Sequence, residues 1–146
     1  IRDRLLSRGL GDVYMRQLGY RVIVWDDRED IISTFTGEGE TLTGDLSTAI
    51  QMEPIDEHTR VVIVTRNAEV DSKVLPMIVE TPAAYIGLMG SSQRWKVVRN
   101  QLIDSGMSTK ELERIATPIG IEIAAESPEE IAVSILAEVI AGDNLP

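Results

Sequence analysis

Apolar and polar residues follow one another along the chain in blocks that predict strands and helices in turn. Residues 20–25 and 60–65 are apolar runs rich in β-branched side chains, which predict buried strands. A third apolar run, residues 85–88, leads into a glycine-rich turn. Helical spacing follows at 71–80, after Ser91 and after Ser127. This order predicts an α/β domain with a doubly wound, mostly parallel sheet in a Rossmann-like, three-layer arrangement.

The glycine-rich turn is the first candidate site. Gly87 and Gly90 allow the backbone to approach a ligand closely, and either Ser91 or Ser92 is placed to cap the helix that follows. The free N–H groups of such a helix favour a phosphate or a carboxylate, and Arg94 adds a positive charge one turn later. The alternative is a strand-to-helix turn that needs glycine for its geometry alone.

The beginning of the chain only partly resembles a dinucleotide-binding loop. Gly9 and Gly11 have the G-x-G spacing, but Tyr14 occupies the position where a third glycine or an alanine is expected. The following helix, predicted over 13–18, is short. Asp26 comes 15 residues after Gly11, against about 20 residues in the usual fingerprint.

Polar residues follow three of the predicted strands, and the carboxyl ends of parallel strands share one edge of a sheet. Asp26 and Asp27 end the first of these strands, where an acid usually binds ribose hydroxyls. We interpret the acidic residues 26–30 as a solvated loop rather than as a metal site, because their spacing is not that of an EF-hand. The candidate cofactor-binding residues at this edge are Gly9, Gly11, Asp26, Asp27, Thr65, Arg66, Gly87, Gly90, Ser91 and Arg94.

Shorter signals predict the remaining elements. Residues 40–43 predict a short edge strand, and Asp45 or Ser47 begins a short helix. Ser108 and Glu111 form a capping box, whereas residues 119–123 are either a short strand or a packed loop. Ser127 caps the last helix, which Gly142 is expected to close. The predicted buried stripe of that helix is Ile131, Ile135, Leu136, Val139 and Ile140.

The amino-acid composition excludes several classes of function. The 146 residues are enough for one domain, which we expect to span 1–146. A net charge of −10 argues against nucleic acid as a partner, and no apolar run is long enough for a membrane helix. The absence of cysteine excludes thiolate metal sites, and the single histidine, His58, lies in a polar turn that we interpret as a solvated loop. We expect a cytoplasmic protein.

Several segments together resemble the Rossmann-like C-terminal domain of the XdhC/CoxI family, whose members are accessory proteins of molybdenum hydroxylases. The resemblance is distributed over residues 24–28, 64–66, 85–91, 102–106, 118–123 and 127–138. The family positions carried onto this chain are Thr65, Arg66, Asp71, Gly87, Gly90, Ser91, Arg94, Pro118, Gly120, Pro128 and Glu130. The first loop departs from the family pattern, and no part of the chain resembles the family's cysteine-bearing N-terminal domain.

The resemblance implies a factor that helps to mature or insert the molybdenum cofactor. Its expected partners are a molybdenum hydroxylase of the xanthine or carbon monoxide dehydrogenase type and a sulfurating enzyme, and a homodimer is expected. Two alternatives stay open: an NAD(P)-binding, oxidoreductase-like domain, and a dimerisation or scaffold domain with a vestigial nucleotide site. We favour a protein that is not an enzyme by itself, because no acid or base for hydride transfer is evident. The candidate ligands are the molybdenum cofactor and NAD(P).

Overall fold

The computed structural model describes residues 10–144 of the chain. Within those residues the strands are β1 (Ile23–Asp26), β2 (Glu40–Thr43), β3 (Arg60–Ile63), β4 (Tyr85–Leu88) and β5 (Ile115–Ala116). The helices are α1 (Leu10–Gln17), α2 (Glu29–Ser33), α3 (Leu46–Met52), α4 (Ala68–Val79), α5 (Ser92–Asp104), α6 (Thr109–Leu112) and α7 (Pro128–Asn144). Strands and helices alternate through most of the chain, as the hydrophobic pattern predicted.

Every strand pair in the described part of the chain is parallel. Strand β1 pairs with β2, and β4 lies between β3 and β5 in a second sheet. The predicted Rossmann-like α/β class is therefore confirmed, although the strands form two small sheets instead of one.

Polar side chains fix the beginning of most helices, because each accepts a hydrogen bond from an otherwise free backbone N–H group. Asp45 caps α3 and Asn67 caps α4. Of the two serines predicted as the cap of α5, Ser91 is the one that caps it, with its Oγ accepting from the backbone N–H of Arg94. The predicted capping box of α6 is present, and Ser127 caps α7 by accepting from the N–H of Glu130 at 3.1 Å.

Several predicted elements differ from those of the structure. Helix α1 begins at Leu10, so Gly11 lies inside a helix and not in a loop. Part of the acidic segment forms the short helix α2. Helix α7 continues past Gly142 to Asn144, and its last turn is held because Asp143 accepts hydrogen bonds from Tyr20 and Arg60. Strand β5 was not predicted, since two residues carry no periodicity.

The hydrophobic core lies between the three-stranded sheet and helices α4 and α5. Its fully buried side chains include Leu75 of α4, Ile86 and Leu88 of β4, and Val98 and Leu102 of α5. Within the described residues, none of the helices has the length and apolarity that crossing a bilayer would require.

Helix α7 buries a stripe that differs slightly from the predicted one. Its buried side chains are Ala132, Ser134, Ile135, Leu136 and Val139. Ile131 and Ile140 are only half-buried. The stripe therefore lies slightly to one side of the predicted positions.

Candidate functional site

A pocket of about 270 Å³ lies where β3 and β4 end. It is lined by Thr65, Met89, Gly90, Ser91 and Arg94. Thr65 comes two residues after β3, and the other four belong to the turn between β4 and α5 or to the first turn of α5. The pocket thus lies at the edge of the sheet where open α/β folds bind their ligands.

The Arg94 side chain is held in this pocket by a buried carboxylate. Asp71, in the first turn of α4, is fully buried, and its Oδ2 lies 2.6 Å from Nη2 and 2.7 Å from Nε of Arg94. Nη2 of Arg94 also donates to Oγ1 of Thr65 at 2.6 Å, and the Thr65 hydroxyl donates to Oδ1 of Asp71. Three elements, β3, α4 and α5, are joined by this cluster.

Backbone donors complete the pocket. Two backbone N–H groups of the turn have acceptors: that of Arg94 donates to Oγ of Ser91, and that of Met89 donates to the carbonyl of Ile63. Among the described residues, the backbone N–H groups of Gly90 to Gln93 make no hydrogen bond. Free N–H groups at the start of a helix, together with its dipole, attract anions.

The two glycines of the turn have different functions. A Cβ on Gly90 would lie 3.3 Å from Cδ of Arg94, so the missing side chain leaves room for the arginine. A Cβ on Gly87 would lie 2.4 Å from Cδ1 of Ile119 and 2.5 Å from the hydroxyl oxygen of Tyr85. Gly87 is buried within β4 and does not line the pocket. The absence of a side chain at this position is therefore required for packing.

At the end of β1, Arg28 forms an ion pair with Asp26, the acid that was expected to bind the ribose hydroxyls. Nε and Nη2 of Arg28 each donate to Asp26 at 2.9 Å, and the backbone N–H of Arg28 donates to it at 3.0 Å. Burial raises the pKa of the Asp26 carboxyl, whereas the hydrogen bonds from the Arg28 side chain and backbone lower it. The resulting pKa lies well below the ordinary value of 3.8. A ribose would have to compete with this bidentate pair.

Asp26→Asn tests the pair. Because the folded-state pKa lies below that of the unfolded chain, the charged carboxylate stabilises the fold above about pH 4, and this stabilisation is lost as the pH falls further. We expect Asp26→Asn to lower the free energy of unfolding by about 1–3 kcal/mol near neutral pH. Urea denaturation from neutral to acidic pH should show a shallower loss of stability than in the wild type. Asp104→Asn, on an exposed residue of α5, controls for net charge, and an identical acid profile for both variants would contradict the assignment.

A second ion pair connects the two sheets at this edge. Nη1 and Nη2 of Arg66 lie 3.0 and 3.2 Å from the two carboxylate oxygens of Asp27. Arg66 follows Thr65, which contacts Arg94. The structure therefore brings the predicted residues of β1, β3 and the glycine turn into one connected region.

Not every predicted residue reaches the pocket. Gly9 lies outside the described residues, and Gly11 is in α1. Met89, which lines the pocket, was missed, because an apolar residue in a turn gives no signal of binding. Asp71 was carried over from the resemblance alone, and no local pattern links it to Arg94, 23 residues later. The described residues contain no group of three histidine, aspartate or glutamate side chains placed to hold a metal ion.

The parallel strands, the crossover helices and the pocket at the strand ends define a Rossmann-like α/β domain. The family model described as the XdhC Rossmann domain matches residues 13–139. The chain therefore belongs to the XdhC family.

Three curated relatives are identical to this chain at about a third of the aligned positions. It is 31% identical over 153 aligned positions to the uncharacterised protein YqeB of Escherichia coli K12, covering 99% of this chain and 28% of that protein. It is 32% identical over 124 positions to a probable xanthine dehydrogenase subunit of Bacillus subtilis 168, covering 84% of this chain and 36% of that protein. It is 30% identical over 95 positions to the molybdenum cofactor insertion chaperone PaoD of E. coli K12, covering 65% of this chain and 30% of that protein.

A solved structure shares the fold. The crystal structure described as a xanthine dehydrogenase from Bacillus halodurans matches with a TM-score of 0.72 and 24% identity, covering 94% of this chain and 39% of that one. The chain spans about a third of the length of the relatives that it matches.

Proposed function

We propose that this domain belongs to an accessory factor for molybdenum hydroxylases, and that its pocket binds the phosphate group of a cofactor during maturation or insertion. Two relatives support the class, because their names refer to xanthine dehydrogenase and to molybdenum cofactor insertion. The observation that carries the ligand proposal is the guanidinium of Arg94 beside free backbone N–H groups at the start of α5.

The pocket fits one end of such a cofactor. Nη1 of Arg94 makes no hydrogen bond within the described residues, and arginine is well suited to phosphate oxygens. A volume of about 270 Å³ accommodates a phosphate group with a few neighbouring atoms. The chain has no cysteine, so no thiolate of this chain would hold the metal end of the cofactor. The molybdenum centre itself would supply the redox chemistry in the recipient enzyme.

Two observations weigh against the NAD(P) alternative. Asp26 is already paired with Arg28, and Gly11 lies in a helix instead of a phosphate-binding loop. A dinucleotide would need both its ribose partner and its pyrophosphate loop. The scaffold alternative predicts that no ligand binds the pocket at all.

Calorimetric titration of the purified protein with inorganic phosphate, molybdenum cofactor, NAD and NADP tests the proposal. We expect phosphate and the molybdenum cofactor to bind, and Arg94→Gln to weaken binding by roughly 10-fold to 100-fold, which is the effect of losing a charge-assisted hydrogen bond. Lys96→Gln is the matched control, because it removes the same charge from an exposed position of the same helix. Circular dichroism checks that both variants are folded.

The outcomes separate the three functions. Equal losses in Arg94→Gln and Lys96→Gln would remove Arg94 from the site. Binding of NAD or NADP without binding of the molybdenum cofactor would favour the oxidoreductase-like domain. No binding of any of the four compounds would favour a scaffold.

The partners are part of the same proposal. A molybdenum hydroxylase is the expected recipient, and co-purification of the two proteins tests this directly. The sulfurating enzyme, the homodimer, the single domain over 1–146 and the cytoplasmic location stay predictions.

A further inference from the structure

The ion pair between Asp71 and Arg94 determines how much charge the pocket presents. Asp71 is fully buried behind Arg94, whereas the Arg94 side chain retains 18% of its exposure and lines the pocket. Asp71 therefore cannot contact a ligand directly. It acts only through the arginine, whose Nε and Nη2 it occupies.

Two other arginines that follow strands at this edge of the sheet are also paired with carboxylates. Arg66 is paired with Asp27, with its Nη1 3.0 Å from Oδ1, and Arg28 is paired with Asp26. The chain as a whole carries a net charge of −10. A ligand in the pocket thus meets several hydrogen-bond donors but almost no net side-chain charge.

This balance matters for the charge of the ligand. A dianion loses more hydration on entering a pocket than a monoanion, and unneutralised positive charge offsets that loss more strongly than neutral hydrogen-bond donors do. Hydrogen-bond donors without net charge therefore favour a singly charged oxyanion.

We propose that Asp71 is a positioning residue that sets the charge selectivity of the pocket. It fixes Arg94 in place, cancels its charge, and makes the site selective for a singly charged oxyanion, such as a phosphodiester, over a doubly charged phosphomonoester. This inference rests on the proposed phosphate site and specifies its ligand class. Removing the Asp71 charge while keeping its shape shifts the preference towards the dianion.

Dimethyl phosphate and methyl phosphate are matched probes. At about pH 8 the monoester is doubly charged, because its second pKa is near 6, whereas the diester carries one charge. Calorimetry on the wild-type protein is expected to show that dimethyl phosphate binds at least as tightly as methyl phosphate. Tighter binding of methyl phosphate would overturn the inference, and this measurement needs no variant.

Asp71→Asn gives the second measurement. It is expected to change the affinity ratio of the two probes by about tenfold or more in favour of methyl phosphate, because a charge that was cancelled a few ångströms from the ligand is released. Glu69→Gln is the matched control. Glu69 is an exposed residue of the same helix whose carboxylate pairs with Lys73 at 3.0 Å. A purely structural function of Asp71 would lower both affinities together and leave their ratio unchanged, which would overturn the inference.

The two proposals fail in different ways. If neither probe binds the wild type, the phosphate site itself is wrong, and the selectivity inference fails with it. If both probes bind but the wild type prefers the monoester, or Glu69→Gln changes the ratio as much as Asp71→Asn does, only the selectivity inference is wrong.

Discussion

Asp71→Ala is expected to lower the free energy of unfolding by about 3–5 kcal/mol, which is the usual cost of removing one partner of a buried ion pair. The variant leaves the guanidinium of Arg94 without its carboxylate in a mostly buried position and removes the acceptor of the Thr65 hydroxyl. Urea denaturation monitored by circular dichroism measures the change.

Two further variants make this result specific. Glu69→Ala, on an exposed residue of the same helix, should change stability by less than about 1 kcal/mol, because exposed ion pairs contribute little. The double variant Asp71→Leu/Arg94→Met should recover part of the loss, since it leaves no buried charge unpaired. A loss below about 1 kcal/mol for Asp71→Ala would contradict the buried pair.

Gly120→Ala is expected to lower the free energy of unfolding by about 2–4 kcal/mol. Gly120 has a φ of +96°, which is unfavourable for other residues, and its Cβ would lie 2.4 Å from Oγ of Ser134. The carbonyl carbon of Ser134 and the nitrogen of Ile135 would lie at 3.2 and 3.3 Å. Because those two atoms belong to the backbone of α7, the clash is not relieved by a side-chain rotation alone. Thermal or urea denaturation measures the effect.

Gly106→Ala is the matched control for backbone strain. Gly106 has a similar φ of +102°, but a Cβ there would have no atom within 4 Å. Its expected cost is about 1–2 kcal/mol, the strain alone. Adding Ser134→Ala to Gly120→Ala should recover a part of the steric cost, although it also removes the hydrogen bond from Ser134 to the carbonyl of Ile121. Equal losses in Gly106→Ala and Gly120→Ala would show that packing against α7 contributes nothing.

The sequence predicted well those features that depend on neighbouring residues. The capping serines Ser91, Ser108 and Ser127 bond to N–H groups three residues later, so a short window contains the whole interaction. The apolar runs of β3 and β4 were equally clear, because β-branched and apolar residues follow one another there without a break. These local signals were enough for the Rossmann-like class.

The parts that were missed depend on distant residues. Arg94 was predicted to add a positive charge to the glycine-rich turn, but the carboxylate that pairs with it lies 23 positions earlier. Gly87 was predicted to face a ligand, whereas its neighbour is Ile119, which reaches it through the pairing of β4 with β5. Neither relation has a spacing that a sequence pattern can show. Both emerge only when separate elements pack together.

The division of the strands into two sheets has a consequence for local unfolding. Within residues 10–144, no backbone ladder hydrogen bond joins β1–β2 to β3–β4–β5. A two-stranded sheet has little stability of its own, and amide hydrogens there should exchange with solvent sooner than those of the three-stranded sheet. Thr65, Asp71 and Arg94 all belong to the three-stranded half. The pocket would therefore keep its shape through excursions in which the first half of the domain transiently opens.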